Sequence, residues 1–149
     1  MRAVIQRVDQ ACVRINSQLY SAIDQGLLVL LGVEKEDTEK DADYVIEKTV
    51  ALRIFEDDQG KMNLSLSDIA GDMLVVSQFT LLGDCIKGRR PSFTRAEEPV
   101  RANELYEYFV AKAAPKVKKL ATGQFQAMMK VELVNNGPVT MLVDSKKLF

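Results

Sequence analysis

Two short apolar runs constrain the fold of this chain more than any other feature of its sequence. Residues 27–33 read Leu-Leu-Val-Leu-Leu-Gly-Val, and residues 73–80 read Met-Leu-Val-Val-Ser-Gln-Phe-Thr. The first run is short enough for a strand that is buried on both faces, and the second has the composition of a central strand. Each follows a turn signal that contains glycine and aspartate, at 24–26 and 71–72. We therefore expect both runs to form strands inside a sheet.

The rest of the chain adds further strands and two main helices. Alternation of apolar and polar residues predicts strands at 2–8 and 11–15, and Asn16-Ser17 predicts a turn before a strand at 19–23. Further strands are expected at 52–55, 128–134 and 139–143. A helix that Asp37 or Thr38 can cap, and a second helix that ends near Pro115, have apolar faces at helical spacing: Ala42, Val45, Ile46, Thr49, Val50; Ala102, Leu105, Tyr106, Phe109, Val110, Ala113. The pattern predicts one mixed α/β or α+β domain over residues 1–149, with much antiparallel pairing.

Composition narrows the class of protein. The chain has 149 residues, of which 47% are hydrophobic and 28% charged, so a domain of this size can fold without disulfides or a structural metal. Its two cysteines, Cys12 and Cys85, are far apart and form no CxxC spacing. The first eight residues alternate like a strand rather than a secretory signal, and no apolar run could span a membrane. We expect a cytoplasmic protein with no membrane partner.

The net charge bears on nucleic-acid binding. It is -1, whereas most nucleic-acid binders carry a strong basic excess. Two local basic clusters, at 87–90 and 116–119, are most simply explained as solvated surface. If RNA is the ligand, its contact with this chain must be local.

The chain contains no histidine, and this absence excludes much of enzyme chemistry. Ser-His-Asp and Cys-His mechanisms are ruled out, and the commonest zinc ligand is missing. No Walker-type or GxGxxG sequence is present. Catalysis would have to come from backbone N–H groups, each worth roughly 10²–10³ in rate, or from groups of the substrate itself. Such a site suits an activated bond such as an aminoacyl ester.

Two peptides stand out as candidates for that chemistry. Residues 77–81 read Ser-Gln-Phe-Thr-Leu, and residues 135–140 read Asn-Asn-Gly-Pro-Val-Thr. Taken alone, the first is most often only the end of a strand, and the second is typical of a hairpin turn between two strands. Nothing in the residues themselves indicates a cis bond before Pro138, because few X–Pro bonds are cis.

Together, these peptides resemble the two signature motifs of the D-aminoacyl-tRNA deacylases. The resemblance covers nearly the whole chain, and it includes further segments at 5–8, 26–33, 53–55, 60–63, 87–93 and 123–125. It implies the fold of that family, a single domain with a largely antiparallel, barrel-like sheet. It also implies a homodimer that hydrolyses the ester bond of D-aminoacyl-tRNA at the acceptor end, with no cofactor and no metal.

The resemblance also implies roles for the first motif. Ser77, Gln78, Phe79 and Thr80 would form the catalytic site, with the main-chain N–H of Phe79 donating to the ester carbonyl oxygen. Because no histidine can activate the Thr80 hydroxyl, we prefer water as the nucleophile, helped by the 2′-hydroxyl of the terminal adenosine. Thr80 would then have a positioning role.

In the second motif, the resemblance implies that Gly137-Pro138 is a cis pair that enters the active site of the partner subunit. Such a main-chain wall would exclude L-residues and admit D-residues, and it would also admit glycine, for example glycine mischarged on tRNA(Ala). Supporting and pocket-lining positions would be Asn135, Val139, Thr140 and Arg7, together with Phe125 and Met129. For Arg7, a surface position is almost as plausible, and for Phe125 and Met129 a place in the core is commoner.

Three alternatives differ from this hypothesis. The same fold could edit small L-residues, but the related animal-type enzymes resemble Pro-Gln-Ala-Thr and Gly-Pro-Tyr-Thr at the two motifs. The chain could bind nucleic acid without catalysis, or it could be an unrelated small-molecule-binding barrel. The sequence identifies neither the preferred D-amino acid nor the preferred tRNA.

Overall fold

The computed structural model describes all residues from Met1 to Phe149. Two turns of 3₁₀ helix, Phe79–Leu82 and Ala114–Lys116, accompany the regular elements. The eight strands and two α-helices are β1 (Arg2–Ile15), β2 (Gln18–Ile23), β3 (Gly26–Gly32), α1 (Glu39–Ala51), β4 (Phe55–Glu56), β5 (Met62–Leu64), β6 (Asp72–Ser77), α2 (Pro99–Ala113), β7 (Lys119–Thr122) and β8 (Lys130–Asp144).

Strand β1 is the centre of the main sheet. One edge of β1 pairs with β3 and then β2, the other edge pairs with β8, and all three pairings are antiparallel. Beyond β3 the sheet continues through β6 to β7 with parallel pairing. Strands β2 and β7 approach each other, and the Ser21 hydroxyl on β2 donates to the Thr122 carbonyl on β7 at 2.6 Å. The expected mixed α+β domain with a nearly closed, barrel-like sheet is therefore confirmed.

Two apolar cores lie on opposite faces of this sheet. The larger core, of 21 buried residues, joins the sheet to α1 and α2. The smaller core, of 7 buried residues, fills the inside of the barrel and includes Val13, Leu28 and Leu74. Residues along β3 alternate between the two cores, and only Leu30 is partly exposed, which confirms a strand buried on both faces. Leu74 and Val75 on β6 divide between the cores in the same way.

Both helices follow the sequence prediction closely. Thr38 precedes α1, and its N–H group donates to the Asp41 carboxylate at 2.8 Å, as in a capping box. The predicted apolar face of α1 is buried throughout. Helix α2 begins at Pro99 and gives way to the 3₁₀ turn that contains Pro115. Neither helix has the length and apolar composition of a membrane span.

The prediction of a hairpin turn at 135–138 is wrong. Strand β8 runs without a break from Lys130 to Asp144 because it pairs with β1 on both sides of this segment. In the same way, the strands expected at 2–8 and 11–15 are one strand. This pairing joins residues far apart in sequence, so a local turn signal could not reveal it.

Smaller differences concern short strands. Only Phe55 of the expected strand 52–55 is in a strand, and β6 ends at Ser77 instead of Thr80. Strands β5 and β7 were not predicted, and they have only 3 and 4 residues. Such short runs carry too little periodicity to be recognised.

Candidate active site

The Ser77–Thr80 segment begins at the carboxyl end of β6. Ser77 is the last residue of the strand, and the N–H of Gln78 donates to the carbonyl of Leu31 on β3 at 2.7 Å. The 3₁₀ turn follows, with the N–H of Leu81 bonded to the Gln78 carbonyl. The N–H groups of Phe79 and Thr80 stand at the beginning of this turn, where a helical N–H has no partner within the helix. They can therefore donate to an oxyanion.

Buried groups hold the strand just before this segment. The Val75 carbonyl accepts the phenol of Tyr106 at 2.9 Å and the N–H of Gly123 at 3.0 Å. Burial, followed by the charge of Glu107, raises the pKa of Tyr106, so its phenol remains a neutral donor. Gly32 at the end of β3 allows the 3₁₀ turn Phe79–Leu82 to pack closely against it, because a Cβ on residue 32 would lie 3.1 Å from the Gln78 carbonyl oxygen.

The side chains of the segment offer no activated nucleophile. Gln78 donates its amide N–H to the Thr80 hydroxyl, and no carboxylate or amine contacts that hydroxyl. No three acidic or cysteine side chains lie close enough together to hold a metal ion. The groups of the Ser77–Thr80 segment that can take part in catalysis are therefore its backbone N–H groups.

One aromatic ring contacts the segment, and further aromatic and methionine side chains lie near the end of β6. Phe79 is 55% exposed, and its ring forms a T-shaped contact with that of Phe93, with the two centroids 5.1 Å apart. Phe125 follows β7, which is parallel to β6, and its ring lies 6.0 Å from that of Tyr106. The sulfur of Met129 accepts the Gln124 N–H at 3.3 Å and packs against the smaller core. Both Phe125 and Met129 are partly buried near this edge, and their role in lining a pocket stays a prediction.

The second motif forms a wide bulge in β8. On β8, Thr140 pairs with Gln6 and Asn135 pairs with Val8, so the four residues Asn136–Val139 face Arg7 alone. We call these four residues the β8 bulge. Within it, the Gly137–Pro138 peptide bond is cis, and Gly137 has a φ of 113°. Gly137 and Pro138 are both exposed.

Arg7, on the neighbouring strand β1, supports the bulge. Its guanidinium is buried, with the residue only 5% exposed, and it donates to the carbonyls of Asn136 at 3.2 Å and Ile54 at 2.6 Å. A third nitrogen lies 3.8 Å from the Glu56 carboxylate. A surface position for Arg7 is therefore excluded, and its contact with the bulge is direct.

Neighbouring polar side chains on β1 add further support that the sequence did not reveal. The Asn136 amide donates to Asp9 at 2.6 Å, and the Thr140 hydroxyl donates to Gln6. The only sequence signal for these residues is their place beside Arg7 on an alternating strand. The side-chain oxygen of Asn135 is buried and has no hydrogen-bond partner.

The two motifs lie at opposite ends of the sheet within one chain. Arg7 is level with Leu27 at the beginning of β3, whereas Ser77 is level with Leu31 near its end. Four residues along a strand span about 13 Å, and the three steps from β8 to β6 span about 14 Å. The β8 bulge therefore cannot contact the Ser77–Thr80 segment of its own chain.

Two clefts in the surface lie away from the Ser77–Thr80 segment. The larger, of about 470 Å³, lies among β1, β2 and β8 and is lined by Cys12, Leu19 and Glu132. The smaller, of about 140 Å³, lies beside Arg7 and Asn136.

Comparison with known proteins defines the class of protein to which this chain belongs. Residues 4–144 match the family described as D-Tyr-tRNA(Tyr) deacylase. The chain is 63% identical to the D-aminoacyl-tRNA deacylase of Syntrophus aciditrophicus (strain SB) and 58% identical to that of Thermosipho melanesiensis, over the full length of each chain. These matches make it an enzyme, an ester hydrolase of the aminoacyl-tRNA deacylase class. The chain belongs to the D-Tyr-tRNA(Tyr) deacylase family.

Two solved structures have the same fold. The c-Myc DNA Unwinding Element Binding Protein is 37% identical, with a TM-score of 0.92 over 97% of this chain and 98% of that chain. A probable eukaryotic D-amino acid tRNA deacylase is 18% identical, with a TM-score of 0.82 over 96% and 98% of the two chains. The second likeness is a likeness of fold alone.

Proposed function

We propose that this deacylase removes D-amino acids from tRNA at a site that two copies of the chain build together. One copy supplies the Ser77–Thr80 segment, and the other supplies its β8 bulge. The main support is the separation of these two motifs within one chain, since the register of β1, β3 and β6 puts them at opposite ends of the sheet.

The outer edge of β8 supports a homodimer. This strand has 15 residues and pairs only with β1, so a row of backbone groups on its other edge has no strand beside it. Leu133, Val134 and Leu142 on the same strand are 37%, 45% and 58% exposed. Long exposed edges of this kind are usually covered in native proteins, and a second copy would cover this one.

In this proposal, catalysis depends on the main chain. The N–H groups of Phe79 and Thr80 stabilise the negative charge that develops on the ester carbonyl oxygen. Water attacks the carbonyl carbon, the bond to the ribose oxygen breaks, and the products are the free amino acid and the tRNA. The 2′-hydroxyl of the terminal adenosine helps to move the proton, because the Thr80 hydroxyl has the Gln78 amide as its partner and no carboxylate or amine.

Selectivity for the D-configuration comes from the bulge of the partner copy. Gly137 and Pro138 present a main-chain wall beside the α-carbon of the amino acid, so an L side chain collides with it and a D side chain points away. Glycine has no side chain, and Gly-tRNA(Ala) should therefore also be a substrate. The site should act in the cytoplasm, where aminoacyl-tRNA is made and used.

The first test compares the hydrolysis of D-Tyr-tRNA and L-Tyr-tRNA at catalytic enzyme concentration. We expect rapid loss of the D-ester, survival of the L-ester, and loss of Gly-tRNA(Ala). Cleavage of L-Ala-tRNA in preference to D-Tyr-tRNA would instead indicate the editing of small L-residues. If neither tyrosyl ester is cleaved by folded protein, the proposed reaction is wrong.

A mixing experiment tests whether two copies share each site. Phe79→Pro removes the backbone donor from one copy, Gly137→Ala distorts the bulge of the other, and Phe79→Ala serves as a control that keeps the N–H. Each of the first two variants alone should lose at least about 10-fold in activity. Mixed dimers contain one site with both intact parts, so refolding the two variants together should restore activity. Without such restoration, the shared site is excluded.

A second candidate function is nucleic-acid binding without hydrolysis. It is favoured only by the likeness to a protein described as binding a DNA unwinding element. The net charge of -1 disfavours it, because duplex DNA binding usually requires a broad basic surface. Binding of duplex DNA by wild-type protein that fails to cleave either tyrosyl ester would favour this candidate.

A further inference from the structure

A structured basic loop projects beside the Ser77–Thr80 segment. Residues 85–91 form a finger whose base is closed by two backbone hydrogen bonds between Asp84 and Ser92, at 2.7 and 2.9 Å. The Asp84 carboxylate also accepts the N–H of Ile86 at 2.8 Å. Gly88 turns the chain at its tip with a φ of 73°. We call residues 85–91 the basic finger.

The basic finger is fixed to the rest of the chain at both ends. On its amino-terminal side, Gly83 follows the 3₁₀ turn of the candidate active site. On its carboxyl-terminal side, Phe93 packs against the ring of Phe79, and Arg95 joins the loop after β3 through an ion pair with the buried Glu34 at 2.5 Å and a hydrogen bond from the Lys35 N–H at 3.0 Å. The position of the finger relative to the Ser77–Thr80 segment is therefore set by direct contacts.

The charges of the basic finger are uncompensated. Lys87, Arg89 and Arg90 are all exposed, and none of them forms an ion pair with an acidic side chain of this chain. Three free cations on seven residues are a local exception in a chain of net charge -1. Such a cluster attracts phosphate groups, and arginine binds them with two parallel hydrogen bonds.

The other basic cluster is placed differently. Lys116 pairs with Glu47 at 2.7 Å, and Lys119 is level with Asp72 at the amino end of β6. The Lys116–Lys119 cluster therefore lies at the opposite edge of the sheet from Ser77. It has the same number of lysine and arginine side chains as the finger, so it provides a matched control.

We propose that the basic finger binds the sugar–phosphate backbone of the tRNA acceptor arm next to the ester under attack. The inference rests on the proposed function, which places that ester at the Ser77–Thr80 segment. Lys87, Arg89 and Arg90 contact up to three phosphates and contribute to binding rather than to the chemical step. A nearly neutral protein thereby holds a polyanion through one local contact, without a broad basic surface.

The test uses two substrates that share the ester and differ in their phosphates. These are D-Tyr-tRNA and 2′(3′)-O-D-tyrosyladenosine, which has no phosphate. The triple variant Lys87→Ala, Arg89→Ala, Arg90→Ala should lower kcat/KM on the tRNA by about 10- to 100-fold, mainly through KM. Its rate on the adenosine ester should stay within about twofold of wild type. The slope of log KM against log salt should fall by about 2–3, since each phosphate contact contributes about 0.7–0.9.

The control variant replaces Lys116, Lys118 and Lys119 by alanine and should leave the KM for tRNA unchanged. The proposal is overturned if the finger variant loses the same factor on both substrates, or if the two variants weaken tRNA binding equally. Unchanged kinetics of the finger variant on tRNA would also overturn it. Wild-type protein that cleaves neither ester would instead refute the proposed function, and this proposal with it.

Discussion

The two motifs of this enzyme are held in place in different ways. The Ser77–Thr80 segment continues a central strand, and the strand before it is fixed by neighbours on β3, α2 and β7. The β8 bulge leaves the ladder between β1 and β8, and its main support is the guanidinium of Arg7. One motif is part of the cooperative core, and the other depends mainly on one buried side chain, with smaller contributions from Asp9 and Gln6.

This difference predicts how each motif responds to substitution. A backbone segment with several supports should tolerate the loss of any one of them. A bulge with one main support should fail when that support is removed. Five substitutions, at Arg7, Gly137, Tyr106, Glu34 and Thr80, test this contrast.

Replacing Arg7 should have the largest effect. Arg7→Ala removes the donors to the Asn136 and Ile54 carbonyls and should lower the stability by about 1–3 kcal/mol. Because the bulge loses its position, deacylation should fall by at least about 100-fold. Arg101→Ala, which removes an exposed arginine, is the control and should change neither quantity. Kinetics on D-Tyr-tRNA and urea unfolding measure both, and full activity in Arg7→Ala would contradict the contrast.

A methyl group on Gly137 should have the next largest effect. The φ of Gly137 disfavours any other residue, and its Cβ would lie 2.6 Å from a nitrogen of Arg7 and 2.8 Å from Val139. Gly137→Ala should cost about 1–3 kcal/mol of stability and about 10- to 100-fold in activity. Gly60→Ala is the matched control, since Gly60 also has a positive φ but nothing within 4 Å of its Cβ. Equal losses of activity in the two variants would show that strain, rather than contact with Arg7, is responsible.

Tyr106→Phe tests the better supported motif. The Val75 carbonyl loses the phenol donor but keeps the N–H of Gly123, so the loss of stability should be about 1 kcal/mol. Activity on D-Tyr-tRNA should stay within about twofold of wild type. A loss of activity as large as that of Arg7→Ala would remove the distinction between the two motifs.

The ion pairs of Glu34, in the loop that follows β3, should respond to acid. Burial alone would raise the pKa of Glu34, but hydrogen bonds from Lys146 and Arg95 outweigh it, and the pKa lies below its usual value of 4.5. The stabilisation from this carboxylate is therefore complete above that value and is lost as the pH falls through the lowered pKa. Both partners are partly exposed, so the effect should be about 1 kcal/mol or less. Urea midpoints between pH 7 and pH 3 should fall less steeply in Glu34→Gln, and identical profiles would exclude this role.

The smallest effect is expected for Thr80→Val. This variant keeps the backbone N–H and removes the hydroxyl that accepts the Gln78 amide. Most of the deacylation activity should remain, since the proposed chemistry uses the main chain and a water molecule. Loss of all activity in a protein with an unchanged unfolding midpoint would show that the hydroxyl takes part in the reaction.

Local patterns in the sequence predicted the elements that carry their own signal. Helices α1 and α2 and strand β3 have enough residues to display a period. Strand β3 lies one residue from the predicted run 27–33, α1 follows the predicted cap residue Thr38, and α2 ends at Ala113, near Pro115 as predicted. The existence of β6 was also predicted, although the strand ends at Ser77, three residues before the predicted end. In these elements, the pattern and the tertiary environment favour the same structure.

The β8 bulge shows where local patterns are insufficient. Asn-Gly-Pro between two apolar runs favours a turn, but pairing with a 14-residue β1 keeps both runs in one strand. The contacts of Arg7 with Ile54 and Asn136 join residues that are far apart in sequence. The residues of a single sequence carry no record of such pairs, so only the resemblance to the deacylases implied a supporting role for Arg7, and its partners were not predicted.

The pairing of β1 with β8 also has a consequence for how the protein is made. During synthesis, Arg2–Ile15 leaves the ribosome long before Lys130–Asp144, so one edge of β1 stays open for most of that time. Strand β3 can pair with the other edge early, whereas the β8 bulge forms only when β8 arrives. Folding rates fall as contacts become more distant in sequence, and this pairing should therefore limit the rate. The part of the enzyme proposed to judge chirality is then among the last to be assembled in each newly made chain.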